Sequence, residues 1–376
     1  MAERAPRVGG AVDSWTQRRC RHVKYKKPLT IILLVVAVLV LLGIALAQAP
    51  PTTPVYKQIG TIALPGGLAG FDISWVDPGS QLFYLADRTP TKGTGRIDVV
   101  DTQTNTFLYS IPTRPTEFGF AGTVPAPKPG CSVSGPNGVV AIPQKNQLYV
   151  GDGDSNVKVV DLAARAIVAI IPTGGQCRAD ELNYDPIDHI IMIANPGDDP
   201  PFVTFISTDT QTVLGKYVYP SAQSGQQGAG LEQPVYSPVT KRFYLTVPAL
   251  KGSSNGSVDV FNPITMQMEK SYPTPMCSPA GLIITPNQHL VTSCGTVMDL
   301  QGNIVATPTA SSDQIWYNPG DNLIYFGNGA VIDAESNQVV SMLPGAPVGH
   351  TLAVDQNNNH VFAPVSGAGI KVFAAQ

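Results

Sequence analysis

A short apolar strand followed by a tight polar turn recurs seven times between residues 71 and 356, and no other feature restricts the fold as much. The segments are FDISWVDP (71–78), NGVVAIP (137–143), DELNYDP (180–186), EQPVYSP (232–238), AGLIITP (280–286), DQIWYNP (313–319) and HTLAVDQ (350–356). Each leads within a few residues to a second strand: QLFYLAD, NQLYVGD, HIIMIAN, KRFYLTV, QHLVTSC, NLIYFGN and HVFAPVS. Third strands such as RIDVVD and NVKVVD follow, then fourth strands such as FLYSIPT (107–113) and IVAIIPT (167–173). Four antiparallel strands repeated seven times predict an all-β chain folded as a seven-bladed β-propeller. The 36 Gly and 34 Pro residues suit that many tight turns. The seventh unit stops after three strands, at GIKVFAA, while VYKQIGTIALP (55–65) is left over at the other end. The ring is therefore expected to be closed by this N-terminal strand, which removes a loose sheet edge.

The residues before the repeat are of another kind. Leu29 to Gln48 (LTIILLVVAVLVLLGIALAQ) carries no charge and is long enough, at 1.5 Å per residue, to cross about 30 Å of hydrocarbon. RRCRHVKYKK precedes it, and the positive-inside rule keeps such a cluster cytoplasmic. The expected layout is a basic cytoplasmic tail (1–28), a transmembrane signal anchor (29–48), a Pro-rich spacer (49–54, APPTTP) and the propeller (55–376) on the extracytoplasmic side. Ala45-Leu46-Ala47 also resembles a signal-peptidase site; cleavage after Ala47 would make the propeller a secreted protein. Residues 1–48 hold eight Lys or Arg, which leaves 16 basic against 25 acidic residues beyond them, a net of −9. An acidic domain of this kind lacks the basic stripe that nucleic acid requires. A monomer is expected.

Residues 145–175, KNQLYVGDGDSNVKVVDLAARAIVAIIPTGG, resemble the YVTN-repeat propellers, similar to YncE-like proteins, and 95–113 do so more loosely. The resemblance runs over about 55–376 and concerns blades, not chemistry. It implies the propeller fold and export, and no particular reaction.

In such a ring the fourth-to-first and second-to-third connections share one face. The long connections fall there: 114–130 and 220–230 between blades, and 87–95, 195–201 and 248–256 within them. The opposite face has tight turns such as DPGSQ and PNQH. Function concentrates on loops carried by a rigid scaffold, so the long-loop face is where a protein or small-molecule ligand is expected. Aligning the seven first strands exposes one column at that end: Asp72, Asn137, Asp180, Glu232, Ala280, Asp313 and His350, with Glu181 beside Asp180. Oxygen donors at this density suit Ca²⁺ or Mg²⁺, and one imidazole among carboxylates suits a transition metal. The plainer reading is structural, the side chains binding neighbouring backbone and channel water. Acid–base catalysis is a third reading.

Cys20 lies in the basic tail. Cys277 and Cys294 flank the first hairpin of the fifth unit nearly opposite each other, and Cys131 and Cys177 precede consecutive units. Both pairs are disulfide candidates, and no pair has the close C-x-x-C type spacing of a zinc site. His189, His289 and His360 all fall at the start of second strands on the tight-turn face, which reads as turn structure. Asn255-Gly256-Ser257 is a glycosylation sequon, meaningful in a eukaryotic secretory host. The chain has no C-x-x-C-H for covalent haem, no H-E-x-x-H and no P-loop, so an electron-transfer carrier has little support. Two functions remain in view: a membrane-tethered binding or interaction module, and a metal-dependent hydrolase, lactonase-like, built on the acidic column.

Overall fold

The computed structural model describes residues 53–88, 95–113, 119–220, 230–249, 255–345 and 350–376. The expected tail, anchor and most of the spacer lie outside these residues, as does Cys20. Among the described residues no helix is long and apolar enough to cross a membrane.

Seven four-stranded antiparallel sheets form the blades. Their inner strands are Phe71–Asp77, Val139–Ile142, Leu182–Asp185, Pro234–Ser237, Leu282–Ile284, Ile315–Asn318 and Ala353–Asp355, one in each recurring segment. Middle strands are packed on both faces by neighbouring blades, so they read as unbroken apolar runs: every residue of Ile190–Asn195 (IIMIAN) is buried. The outer strand of the same blade, Thr212–Val218, faces solvent over most of its length. Apolar clusters lie between successive blades; one joins Tyr84 and Ile97 of blade one to Leu148 and Val150 of blade two.

The turns explain the Asp-Pro pattern. Asp77 accepts from the Gly79 N–H at 3.1 Å, and Asp185 accepts from the Ile187 N–H at 2.8 Å, so each inner strand ends in its own cap. The residue before each second strand then takes a left-handed conformation, as at Asn146 (φ 54°), His189 (57°), Gln288 (60°) and Asn359 (58°). This refines the reading of the histidines. His289 and His360 begin strands, whereas His189 sits one position earlier, in the left-handed turn.

Blade seven is completed as expected by Tyr56–Ile62, which pairs with Gly369–Ala375 from Tyr56 opposite Ala375 to Ile62 opposite Ile370. The Tyr56 and Tyr325 hydroxyls are 2.8 Å apart, which ties the closing strand to blade six. Where the ring closes, the Ser74 N–H donates to Thr351 Oγ1 at 3.1 Å, and Thr102 Oγ1 donates to Asp355 Oδ2 at 2.5 Å.

Both expected disulfides are present, Cys131–Cys177 with Cα atoms 5.1 Å apart and Cys277–Cys294 at 5.6 Å. The first anchors the insertion after blade one to the segment leading into blade three. Gly197 permits that approach, since a Cβ there would fall 2.8 Å from the Gly130 carbonyl oxygen. Lys158, 3% exposed, holds the same insertion from beneath. Its ammonium group pairs with Asp152 and donates to the Gly119 carbonyl at 2.5 Å.

Closure gives the first testable consequence. Tyr56→Ala removes a buried ring and a buried hydroxyl partner, and should lower stability in urea unfolding by about 3 kcal/mol. Tyr56→Phe should cost about 1 kcal/mol. An Ala variant within about 0.5 kcal/mol of the parent would show that the closing strand does not hold the ring.

Candidate functional site

The aligned column lies at the long-loop mouth of the channel, and its backbone stitches blades together. The Gly138 N–H donates to the Asp180 carbonyl at 3.2 Å, Gly281 to Asp313 at 2.7 Å, and Gln314 to His350 at 3.1 Å. Glycine is needed beside the column at two of these points. A Cβ on Gly138 or Gly281 would meet the Asp180 or Asp313 carbonyl oxygen at 2.5 or 2.7 Å.

The side chains form an ionic network. Asp72 pairs with Arg88, which also donates to Asn137 Oδ1 at 2.6 Å. His350 places Nε2 against Asp72 at 2.5 Å and Nδ1 against Asp313. With a carboxylate on each ring nitrogen, both nitrogens donate and the ring is an imidazolium. Arg178 pairs with Asp180 at 2.5 Å. Asn137 takes the structural role, its Nδ2 donating to the Ala179 carbonyl at 2.8 Å. Ala280 contributes backbone alone: its carbonyl accepts from Thr246 Oγ1. Asp72, Asn137, Asp180 and Glu181 are buried, while Asp313 and His350 are about a third exposed, with 34% and 38% of the side chain accessible.

Two of the cations were absent from the sequence reading. Arg88 and Arg178 lie on connections outside the aligned strands, Arg88 at the end of the hairpin that carries Asp72 and Arg178 two residues before Asp180. The next column is polar as well: Glu181, Gln233, Gln314 and Thr351 line the channel itself. Gln314 Nε2 donates to Glu181 Oε1 from blade six to blade three, across the mouth. Gln233 Oε1 accepts from the Leu282 N–H at 2.8 Å. Below them Trp75 and Trp316 meet edge to face, with ring centroids 5.4 Å apart. Together they leave a cavity of about 20 Å³, room for roughly one water. The channel is plugged, and the mouth is a dish above it. A second hollow of about 230 Å³ lies between the insertion and blade three, lined by Ser132, Arg178 and Gly197 among others.

Burial works against each ion here, and the partners decide the outcome. For Asp72, burial is outweighed by Arg88 and by the hydrogen bond to His350, which hold its carboxyl well below the ordinary range. For His350, burial is outweighed by the hydrogen bonds to Asp313 and Asp72, which push it up to about 10. Asp180 goes the other way: burial outweighs Arg178 and raises it to about 6. Burial and the charge of Glu232 push Glu181 well up, and burial and Asp180 do the same to Glu232 against the pull of Arg178. Among the described residues no three His, Cys, Asp or Glu side chains converge as a metal site would require.

No family model matches the chain, and no curated protein sequence does. A solved structure titled Kuenenia stuttgartiensis Hydrazine Synthase shares the fold with a TM-score of 0.62, over 85% of this chain and 98% of that one. Identity is 14%, so the likeness is one of fold.

The network makes stability fall as pH rises. Glu181, Glu232, Asp180 and His350 have folded-state pKa values above their unfolded ones. Their contribution is whole below the unfolded values and is lost as pH climbs through the folded ones. The window opens at the ordinary values of 3.8 for Asp180 and 4.5 for the glutamates and extends to about 10 for His350. Asp72, shifted down, contributes in full above 3.8 and loses that contribution only as pH falls below it. The melting midpoint should drop steadily from about pH 5 to about pH 9. Glu181→Gln should flatten the drop, and a parallel curve for that variant would refute a raised Glu181.

Proposed function

We propose that this chain is a membrane-tethered, extracytoplasmic propeller of the YVTN-repeat, YncE-like kind that works as a monomeric binding module, taking its ligand at the long-loop mouth. The observation that carries this reading is the mouth itself. Charged side chains from five blades come together at one end of a plugged channel, with Asp72, Asp180 and Glu181 buried, beside a hollow that reaches Arg178. Burying that much charge is costly for stability, and a fold that only needed to close would fill the mouth with apolar residues. The plug argues for recognition at a surface over passage through the ring.

The hydrolase reading has less support. A Ca²⁺ or Mg²⁺ site needs several free oxygens converging on one point, and most of this column is already engaged. Arg88 and His350 occupy Asp72, Arg178 occupies Asp180, and His350 occupies Asp313. Export is supported by the two disulfides, which persist in oxidising compartments. Tethering is supported by the uncharged segment 29–48 behind its basic block.

Two measurements separate the alternatives. Elemental analysis of the purified full chain should find no stoichiometric divalent cation, and chelator should leave its melting midpoint unchanged. A bound cation that disappears with Asp180→Ala and Glu232→Ala would replace the binding module with the metal-dependent enzyme. Sequencing the mature N-terminus should find residues 29–48 retained, whereas a chain beginning at Gln48 would be a secreted protein.

A further inference from the structure

The mouth holds two more acids than cations. Asp72, Asp180, Glu181, Glu232 and Asp313 face Arg88, Arg178 and His350, and the ion pairs account for Asp72, Asp180 and Asp313. Glu181 and Glu232 are left. Glu181 is 4% exposed and its bonded partner is a neutral amide, Gln314, on one oxygen. Glu232 is half-buried, and among the described residues neither glutamate forms an ion pair. Arg178 lies near enough to Glu232 to be felt there, but its bond is to Asp180.

Glu181 is also part of the wall of the cavity above the tryptophan plug. Ser74, Gln233, Gln314 and Thr351 supply the other polar side chains, and Trp75 and Trp316 supply two indoles. A carboxylate, hydroxyl and amide acceptors, and indole rings are what an organic cation asks for, through charge, hydrogen bonds and cation–π attraction. The size is selective. About 20 Å³ holds one water-sized group, and an –NH₃⁺ head is of that size while a quaternary ammonium or a hydrated metal ion is not.

We propose that the channel mouth binds a primary ammonium group, presented on an alkyl chain such as an amine ligand or a lysyl side chain, with Glu181 as its main counter-ion and Glu232 at the rim. This rests on the reading of the mouth as a ligand site and names the chemistry of what it takes. With no cation beside them both glutamates are held toward their neutral forms, and an ammonium group at the mouth would draw Glu181 into its carboxylate form.

Trp15, Trp75 and Trp316 are the three tryptophans of the chain, so in full-length protein carrying Trp15→Phe the indole emission reports the cavity wall alone. Titration with n-butylammonium should change that emission saturably. n-Butanol and tetramethylammonium, which lack the charge or exceed the cavity, should not. Glu181→Gln should weaken the response at least about tenfold. An equal response to butanol or tetramethylammonium, or none to butylammonium up to tens of millimolar, overturns the proposal; the unsubstituted cavity suffices for that comparison. If butylammonium fails but some other ligand binds and is lost in Asp313→Asn, the ammonium assignment alone falls. If no ligand binds this face, the binding-module reading falls with it.

Discussion

The pairing of Tyr56–Ile62 with Gly369–Ala375 is the contact on which the remainder of the molecule depends. Each blade of a propeller is stable only against its two neighbours, and an open ring would leave the outermost faces of blades one and seven exposed. Bringing the two ends of more than three hundred residues together has an entropic cost, though one that grows only slowly with length. The closing strand offsets that cost with a full edge of backbone hydrogen bonds, the Tyr56–Tyr325 pair and the polar seam between blades seven and one. Closure also makes the site. His350 of blade seven reaches Asp72 of blade one and Asp313 of blade six, so the imidazolium can exist only once the ring is shut.

Given the ring, the mouth is a problem in electrostatics. Seven inner strands start at nearly one place, and polar residues at their starts are forced into a space with little water. Isolated buried carboxylates would be intolerable there. The chain meets this with guanidinium groups brought in from connections, with one histidine shared between two acids, and with two glutamates driven toward their protonated forms. Such a network stabilises less than an apolar core of the same volume, which is why its presence points to recognition. Lys158 beneath the insertion is a comparable arrangement with a structural outcome: its partners are Asp152, Asp154 and a backbone carbonyl of the insertion.

What was legible in the sequence follows from the same physics. Blade number, strand order and both disulfides could be read because each follows from the repeat, and the closing strand because the seventh unit lacks its fourth strand. Cys277 and Cys294, for example, straddle a single hairpin. The column from Asp72 to His350 was visible because it repeats. Arg88 and Arg178 were not, since they lie on irregular connections where no alignment between blades holds. The Glu181–Gln314 contact was hidden for another reason: it crosses the channel between blades three and six, and nothing in the spacing of 133 residues predicts it. His189 was misaligned by one position because a left-handed turn residue and the first residue of a strand look alike in an unaligned repeat.

The plug and the dish belong together. Trp75 and Trp316 come from blades one and six, and their edge-to-face contact fills the channel just beneath the polar layer. Indoles in that position exclude bulk water from below, which lowers the local dielectric and strengthens each ion pair above them. The same exclusion raises the cost of any carboxylate left without a partner. A wider channel would hydrate Glu181 and weaken its demand for a counter-ion, while a fully packed one would leave no room to meet it. With space for about one water beside it, the site keeps an acid that lacks a cation within reach of a small cationic group and out of reach of large ones. Selectivity at this mouth is therefore set jointly by the missing positive charge and by how tightly the tryptophans close the ring's centre.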